Sequence, residues 1–434
     1  MTKKKILLLA DDLRMSSGVG TMSKEFVMGT LQHYDWVQLG GAIKHPESGK
    51  VVNMNKAVSE QTGIEDASLT IYPTDGYGNQ EIVRSVLRTE RPDILWFMTD
   101  PRFYEWLWEI DNEIRSLVPM IYYHVWDNFP IPEFNKIWYD SNDEVVCISK
   151  VTDKIVSTIS PEAYGTRIPH AVNSSIFKPL KDSETKKKVS DLKKRLYEAS
   201  KEHKSTNKKI FFWNNRNARR KQSGTLIWWF KEWLDKVGHD KAVLLMHTDP
   251  QDPHGQDLPH LIEKLGVDDG QVMLSTNKVD QAELAAMYNM ADYTINISDA
   301  EGFGLATLES LACGTPIIVN MTGGLQEQVT DGKEWFGWGI QPVSKTVIGS
   351  LQVPYIYEDR IGQDQFESVM NKALKNSKKS YEKMSKGGIE HVRKNYNFET
   401  FEKQWVDFID KTIEHHGSWE SRRNYDRWTL KEIA

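Results

Sequence analysis

The 434-residue sequence predicts an α/β protein made of two doubly wound halves, each a parallel sheet covered by crossover helices. Short apolar runs alternate with helix-length amphipathic segments, the pattern that a parallel sheet needs. That alternating series occurs twice, with a lysine-rich stretch between the two occurrences. The length is also more than one compact core usually holds, and it suits two domains of ordinary size.

The first series contains candidate strands at 5–10 (KILLLA), 93–98 (DILWFM), 120–125 (MIYYHV) and 144–149 (EVVCIS). From Lys178 to Lys209 the texture changes, with twelve basic against five acidic side chains and few large apolar ones, which reads as a solvated helix or linker. Its functional alternative is contact with a polyanion, either DNA phosphates or an anionic membrane. The second series follows at 209–214 (KIFFWN), 242–247 (AVLLMH), 272–275 (VMLS), 293–298 (YTINIS) and 316–320 (PIIVN). From Phe398 on, Phe401, Trp405, Phe408, Ile409 and Ile413 recur at helical spacing. The expected division is therefore 1–175, a basic segment 176–207, a second domain 208–397, and a helical segment 398–434 packing back across the sheets.

A formal charge of -6 excludes a strongly cationic protein, though not a local basic face. Only Cys147 and Cys313 occur, each in an apolar segment, so a disulfide framework and a cysteine-rich metal site are excluded and a reducing, cytoplasmic setting is expected. The opening MTKKKILLLADD has an apolar run of about five residues, too short for a signal-peptide core of roughly 7 to 15. No run approaches the roughly 18 apolar residues of a membrane span, so membrane contact would be peripheral.

The stretch 299–316, DAEGFGLATLESLACGTP, carries the most chemistry. It follows a buried-strand pattern, turns at Gly302 and Gly304, and continues with Leu305, Leu308, Leu311 and Ala312 at helical spacing before Gly314 and Pro316 stop the helix. Glu301 then lies at the C-terminal edge of a sheet, where open α/β sheets bind ligands. The glycines let a ligand approach the backbone, and the helix-start amides around Phe303 to Leu305 suit a phosphate. Glu309 falls at the edge of the apolar stripe and can face the same crevice. Two carboxylates flanking a phosphate site need hydroxyl partners, and a nucleotide-sugar has a sugar at each end of a diphosphate. For a lone pair of glutamates the plainer reading is a loop acid and a solvated helix position.

The longer stretch 301–329, EGFGLATLESLACGTPIIVNMTGGLQEQV, resembles the E-x7-E segment of the retaining family-4 glycosyltransferases, including their Cys-Gly-Thr-Pro turn and, at Gly323, Gly324 and Glu327, their G-G-x-x-E. Ile168, Pro169, Val172, Phe177, Lys178 and Pro179 resemble that family's interdomain segment, with His170, Ala171 and Asn173 in place of its usual Asn, Gly and Asp. The run WNNRNARRK, 213–221, is similar to its G-R…K, with Asn215 at the glycine position. SSGVGTMS, 16–23, is similar to its first glycine-rich loop; as a dinucleotide fingerprint it lacks the third glycine, Ser23 standing there.

The resemblance implies the GT-B fold, two facing Rossmann-like domains with a cleft between them. It also implies a retaining hexosyl- or pentosyltransferase with a nucleoside-diphosphate sugar as co-substrate and no further cofactor. Arg216 and Lys221 would stabilise the departing diphosphate, Arg219 and Arg220 leaving that register open by a few residues. Glu301 would hold the transferred sugar, and Glu309 the ribose. Gly18, Gly20, Gly302, Phe303, Gly304 and Leu305 would approach the donor, and His124 would stand beside its sugar, its plainer reading being a hydrogen-bonded histidine at a strand end; Asp127 is close enough in sequence to orient it or equally to cap the next loop. The leaving phosphate acts as base in front-face attack; Glu301 as a covalent nucleophile is the older alternative. No Asp-x-Asp metal signature stands out, Asp11-Asp12 abutting a strand end and Asp268-Asp269 lying in a turn, so the reaction is expected to need no metal. The expected acceptor is a glycan or a lipid-linked saccharide, with a hydroxymethylated base in DNA as a minority alternative. A catalytically silent nucleotide- or glycan-binding module and a nucleotide-sugar epimerase of the same fold are the rival functions.

Overall fold

The computed structural model describes residues 3–15, 17–126 and 128–429. Among them the chain forms an eight-stranded sheet, a six-stranded sheet and a separate two-stranded hairpin. The first sheet runs, edge to edge, Val52–Asn53, Leu69–Pro73, Tyr34–Gly41, Lys4–Asp11, Ile94–Phe97, Met120–His124, Glu144–Cys147 and Tyr164–Arg167. Its pairs are parallel apart from the short antiparallel edge made by Val52–Asn53 on Leu69–Pro73. Strand Lys4–Asp11 shows why both faces must be covered. Ile6, Leu8 and Ala10 join one apolar cluster, while Leu7 and Leu9 join another on the opposite face.

The second sheet runs Val272–Ser275, Ala242–His247, Lys209–Asn214, Tyr293–Asn296, Ile317–Asn320 and Gly337–Ile340, all parallel. Each sheet has one place where the strand order reverses. In the first it lies between Lys4–Asp11 and Ile94–Phe97, and in the second between Lys209–Asn214 and Tyr293–Asn296. Crevices outside the C-terminal strand ends at such reversals are where doubly wound sheets take ligands.

Three stretches of chain connect the halves. Residues 168–208 leave the first sheet, burying Ile168, Ala171, Val172 and Phe177, and include the helix Ser183–Glu198, whose Leu196 is buried while Lys186, Lys187 and Lys194 are exposed. That helix packs on Gln281–Met290 of the second half, with Lys188 3.6 Å from Glu283. After the second sheet, helix Lys378–Asn395 packs on Leu305–Ala312, and helix Phe398–His416 crosses back to the first sheet. There Trp405 is fully buried, its ring 5.4 Å from Trp96 and 5.2 Å from Phe26. The third connection is the hairpin Ser344–Ile348 with Ile356–Arg360. It springs from the second half, yet Val353 is buried in an apolar cluster of the first, and the Tyr357 amide donates to the Phe129 carbonyl at 2.5 Å. Among the described residues no helix is long and apolar enough to cross a membrane.

Candidate active site

A cleft of 2330 Å³ runs between the two sheets and reaches both reversals of strand order. On the second-domain side, strand Tyr293–Asn296 leads into Glu301 and a turn that ends at Gly304, φ 93, before helix Leu305–Ala312 begins. A side chain at Gly304 would need a left-handed backbone and would put its Cβ 2.7 Å from Leu325 Cδ2. The following Gly-Gly turn holds this loop from behind. The Gly324 amide donates to the Glu301 carbonyl at 2.9 Å, and a Cβ on Gly323 would lie 1.8 Å from that same oxygen. Gln328 reinforces the turn by donating to the Phe303 and Gly304 carbonyls at 2.7 and 3.1 Å.

Glu301 is buried, and it is ion-paired to Lys221, with Arg220 Nη1 3.6 Å away. Burial alone would raise its carboxyl, but the charges of Lys221 and Arg220 outweigh that and hold it below its ordinary value. Arg220 also donates to the Ala300 carbonyl at 2.5 Å. Glu309 is half-buried and accepts from the Tyr288 hydroxyl at 2.7 Å. Burial, with the Glu25 charge adding to it, pushes that carboxyl up to about 7. The two glutamates of one short segment therefore have opposite electrostatic settings.

The cationic turn after strand Lys209–Asn214 divides its side chains. Lys221 and Arg220 go to Glu301, Arg219 goes to Glu358 of the hairpin at 2.6 Å, and Arg216 reaches Asp252 at 2.6 Å and His254 at 2.7 Å. All four line the cleft, as do Gly302, Phe303, Gly304, Leu305 and Glu309. The register left open by the sequence is thus filled at Glu301 by the adjacent Arg220 and Lys221, with Arg216 at the far rim.

Two expected donor contacts are placed elsewhere. Gly18 lines the cleft at the start of helix Gly18–Thr30, but Gly20 is buried behind it, where its amide donates to the capping Ser17 Oγ at 2.9 Å. His124 is the larger correction. Its side chain is fully buried, Nε2 lies 2.7 Å from the Tyr139 hydroxyl, and burial pushes the imidazole down to about 3. As the last residue of strand Met120–His124 it lies on the side of Met120 and Tyr122 and does not line the cleft, whereas Val125 and Trp126, beyond the strand end, do. Asp127, expected to orient it, lies outside the described residues.

Of the two histidines that line the cleft, His170 and His247, the one in the connection between the halves is His170. It is buried, its Nδ1 is 2.9 Å from the Tyr123 hydroxyl, and its ring meets Phe303 edge-on at 5.0 Å. Burial pushes it down to about 3, so it stands neutral against the glycine turn that carries Phe303. Its appearance where related sequences carry Asn was visible in the sequence, but its position opposite Phe303 was not. Sequence reasoning also missed the loop 276–280 beyond strand Val272–Ser275, which lines the cleft with Asn277, Lys278 and Val279. Both residue types and spacing are ordinary there, and only the strand order brings the loop to the site. Among the described residues, one group has metal-ligand spacing, Glu202, His203 and Asp269; none of these three lines the cleft. Its Asp269 carboxylate already accepts from Ser200 Oγ and from the Lys201 and Glu202 amides at 2.7 to 3.0 Å.

Residues 197–391 match the family model described as Glycosyl transferases group 1. The second half carries a group 1 glycosyltransferase domain. Local similarity points the same way. A D-inositol 3-phosphate glycosyltransferase of Arthrobacter sp. (strain FB24) is 40% identical over 77 residues, and that of Streptosporangium roseum is 43% identical over 75. These stretches span only 18% and 17% of the relatives' own lengths, and the same shares of this chain. Solved structures match nearly end to end. Sucrose-phosphate synthase of Thermosynechococcus elongatus has a TM-score of 0.70 at 15% identity, covering 95% of this chain and 100% of that one. The Anabaena HepE protein in complex with UDP and glucose has a TM-score of 0.67 at 13% identity, covering 94% and 100%. The fold is GT-B, and the cleft described above is its interdomain cleft.

Proposed function

We propose that this chain is a retaining glycosyltransferase that moves a sugar from a nucleoside-diphosphate sugar to a hydroxyl acceptor, without a metal ion. The observation that carries the reading is the buried Glu301 held ionised by Lys221 and Arg220 at the base of a glycine turn that opens helix Leu305–Ala312. A carboxylate kept ionised in a low-dielectric wall accepts hydrogen bonds from the hydroxyls of the donor sugar. The same two cations, with the amides of the turn, face the diphosphate as charge develops on it. Glu309, one helical turn further in, takes the ribose hydroxyls. The HepE neighbour's complexes with UDP and with UDP-glucose support a uridine nucleotide as the first donor to try.

In this reading the bond between the anomeric carbon and the diphosphate oxygen breaks as the acceptor oxygen bonds to the same face of that carbon. The acceptor's proton passes to the departing phosphate oxygen, and a nucleoside diphosphate leaves. In this reading His124, buried against the Tyr139 hydroxyl, is not assigned a donor contact, and His170 packs the donor loop in its neutral form.

The test is a panel of nucleotide-sugars with the purified chain, read by thermal shift and by release of nucleoside diphosphate. At least one donor should bind and turn over. Lys221→Ala should lower turnover by about 10² to 10³, the usual effect of removing one group that stabilises developing charge. A chain that binds no member of the panel, or a Lys221→Ala variant with full turnover, refutes the reading. An epimerase would leave the sugar attached to its nucleotide, which the same assay detects.

A further inference from the structure

Charges on the hairpin Ser344–Ile348 with Ile356–Arg360 hold the cationic turn that follows strand Lys209–Asn214. The hairpin pairs Val347 with Tyr357 and Thr346 with Glu358, so neighbouring side chains along each strand face opposite ways. Val347 and Tyr357 are exposed, whereas Ile348, Ile356 and Glu358 line the cleft. Glu358 is only 1% exposed, and it accepts from Arg219 twice, from Nη1 at 2.9 Å and from Nη2 at 2.6 Å. Arg219 opens the turn that also carries Arg220 and Lys221, lines the cleft, and keeps 54% of its side chain exposed. It is the outer member of the pair. A forked guanidinium matches a phosphate as well as it matches a carboxylate.

The Glu358 carboxylate does not depend on Arg219 alone. Arg360, on the same strand, donates to it at 2.8 Å and pairs with Asp299 at 2.7 Å. Asp299 is buried two residues before Glu301 and accepts at 2.5 Å from Gln222, the residue after Lys221. Four charges thus alternate in sign along Arg219, Glu358, Arg360 and Asp299. If Arg219 turns to another anion, Glu358 keeps one cation, but Arg360 then serves two buried carboxylates, a less favourable balance. The strain falls on a strand that is fastened to the first half one residue away. There the Tyr357 amide donates to the Phe129 carbonyl, and the Tyr357 carbonyl accepts from Asn128 Nδ2 at 3.3 Å.

We propose that Arg219 is a further contact to the donor's diphosphate, withheld by Glu358 until the diphosphate takes it, and that this exchange loosens the hairpin's hold on the first half. The inference rests on the sugar-transfer reading above and adds to it an autoinhibitory ion pair. No covalent bond changes; one guanidinium exchanges a carboxylate for a phosphate. Because two states compete for one side chain, the coupling is reciprocal: the factor by which Glu358 weakens the donor is the factor by which the donor favours opening of the hairpin. Arg219 is half exposed, so that factor lies at the low end of ordinary couplings, about five.

Deuterium exchange of segment 344–360 in the full wild-type chain, with and without saturating UDP or the nucleoside diphosphate of the donor that the panel identifies, reads the latch without any variant. Exchange should be about fivefold faster with nucleotide, the reverse of the protection that a ligand gives when it merely closes a cleft. Glu358→Gln keeps the shape and removes the charge. It should bind nucleotide about fivefold more tightly, and its hairpin should exchange fast without nucleotide and no faster with it. Arg219→Gln should weaken nucleotide binding. Thr322→Val removes the hydroxyl that donates to Asp359 at 2.8 Å, loosening the root of the hairpin without touching Arg219, and should leave nucleotide affinity unchanged. Bound nucleotide that slows the exchange or leaves it as it was, a Glu358→Gln variant that binds nucleotide more weakly, or a Thr322→Val variant that tightens it as Glu358→Gln does overturns this inference and leaves the sugar-transfer reading standing. A chain that binds neither nucleotide-sugar nor nucleoside diphosphate removes both.

Discussion

At the scale of single residues, Glu309 makes the site sensitive to pH. Its folded value of about 7 lies above the ordinary 4.5, so between those values the folded chain keeps a proton that the unfolded chain has released. The sign follows: stability falls as pH rises through that window, and above it the full penalty of an ionised carboxylate half-buried beside Tyr288 is in place. Ribose hydroxyls donating to the carboxylate favour the ionised form, so donor binding near pH 7 should release about half a proton. Calorimetric titration of UDP in buffers of different ionisation heats measures that number directly. It should vanish in Glu309→Gln and persist in Glu402→Gln, whose carboxyl is likewise raised to about 7 but which packs beside Glu25 on the first domain. Proton release that survives Glu309→Gln unchanged would falsify the assignment of the ribose to Glu309.

At the scale of elements, the second glycine turn is the brace of the donor loop. Gly323→Ala would drive a Cβ into the Glu301 carbonyl, a contact of 1.8 Å with backbone that no rotamer relieves. The loop must shift, and an overpacked contact of this kind costs about 1 to 3 kcal/mol. The variant should lower the urea midpoint and weaken UDP together, because the displaced atom belongs to Glu301, the residue proposed to hold the donor sugar. Gly332→Ala is the control. Its backbone is left-handed too, φ 90 against 48 at Gly323, but nothing lies within 4 Å of the added carbon, so it should cost only about 1 kcal/mol of backbone strain and leave UDP binding intact.

Local pattern made the elements around this loop legible. Runs such as KIFFWN and AVLLMH became strands with the expected bounds, because a strand buried on both faces is a continuous apolar run. Strand Tyr34–Gly41 escaped notice for the opposite reason. Its run YDWVQLGG is broken by Asp35 and Gln38, yet Gln38 is fully buried, donating to the Asp11 carbonyl at 2.9 Å and accepting from the Leu13 amide at 3.1 Å. A tertiary pair of hydrogen bonds makes a polar residue acceptable in the core, and no window of sequence contains its partner. The site divides the same way. Glu301, the glycines and Glu309 sit within nine residues and were readable together. Asp11, Tyr77, Asp100 with Phe103, and Val353 line the first-domain side of the cleft from four separated segments and meet only once the strand order is known.

At the scale of the whole molecule, the two sheets share one apolar interior. A single cluster of buried side chains contains Ile6 and Leu8 of the first sheet, Ile168, Val172 and Phe177 of the connection, Leu308 and Leu311 behind the donor loop, and Trp405 of the returning helix. Phe303 touches both connections, its ring 5.0 Å from His170 and 5.7 Å from Tyr396. Cores joined in this way unfold as a unit, because neither can lose its packing without exposing the other. Calorimetry should therefore show one main transition. Trp405→Ala removes a ring that is buried completely against Phe26, Trp96 and Tyr123 in the first half, at a cost of about 3 to 5 kcal/mol. On the proposed donor site UDP would bind the second half, and it should stabilise by about 2.7 kcal/mol at a hundredfold excess over its Kd. Both changes should move the same peak, in opposite directions, so that saturating UDP recovers part of what Trp405→Ala loses. Two peaks, with UDP shifting one and Trp405→Ala the other, would mean that the shared cluster does not couple the halves and that the connection through His170 and Phe303 is a hinge between independent domains.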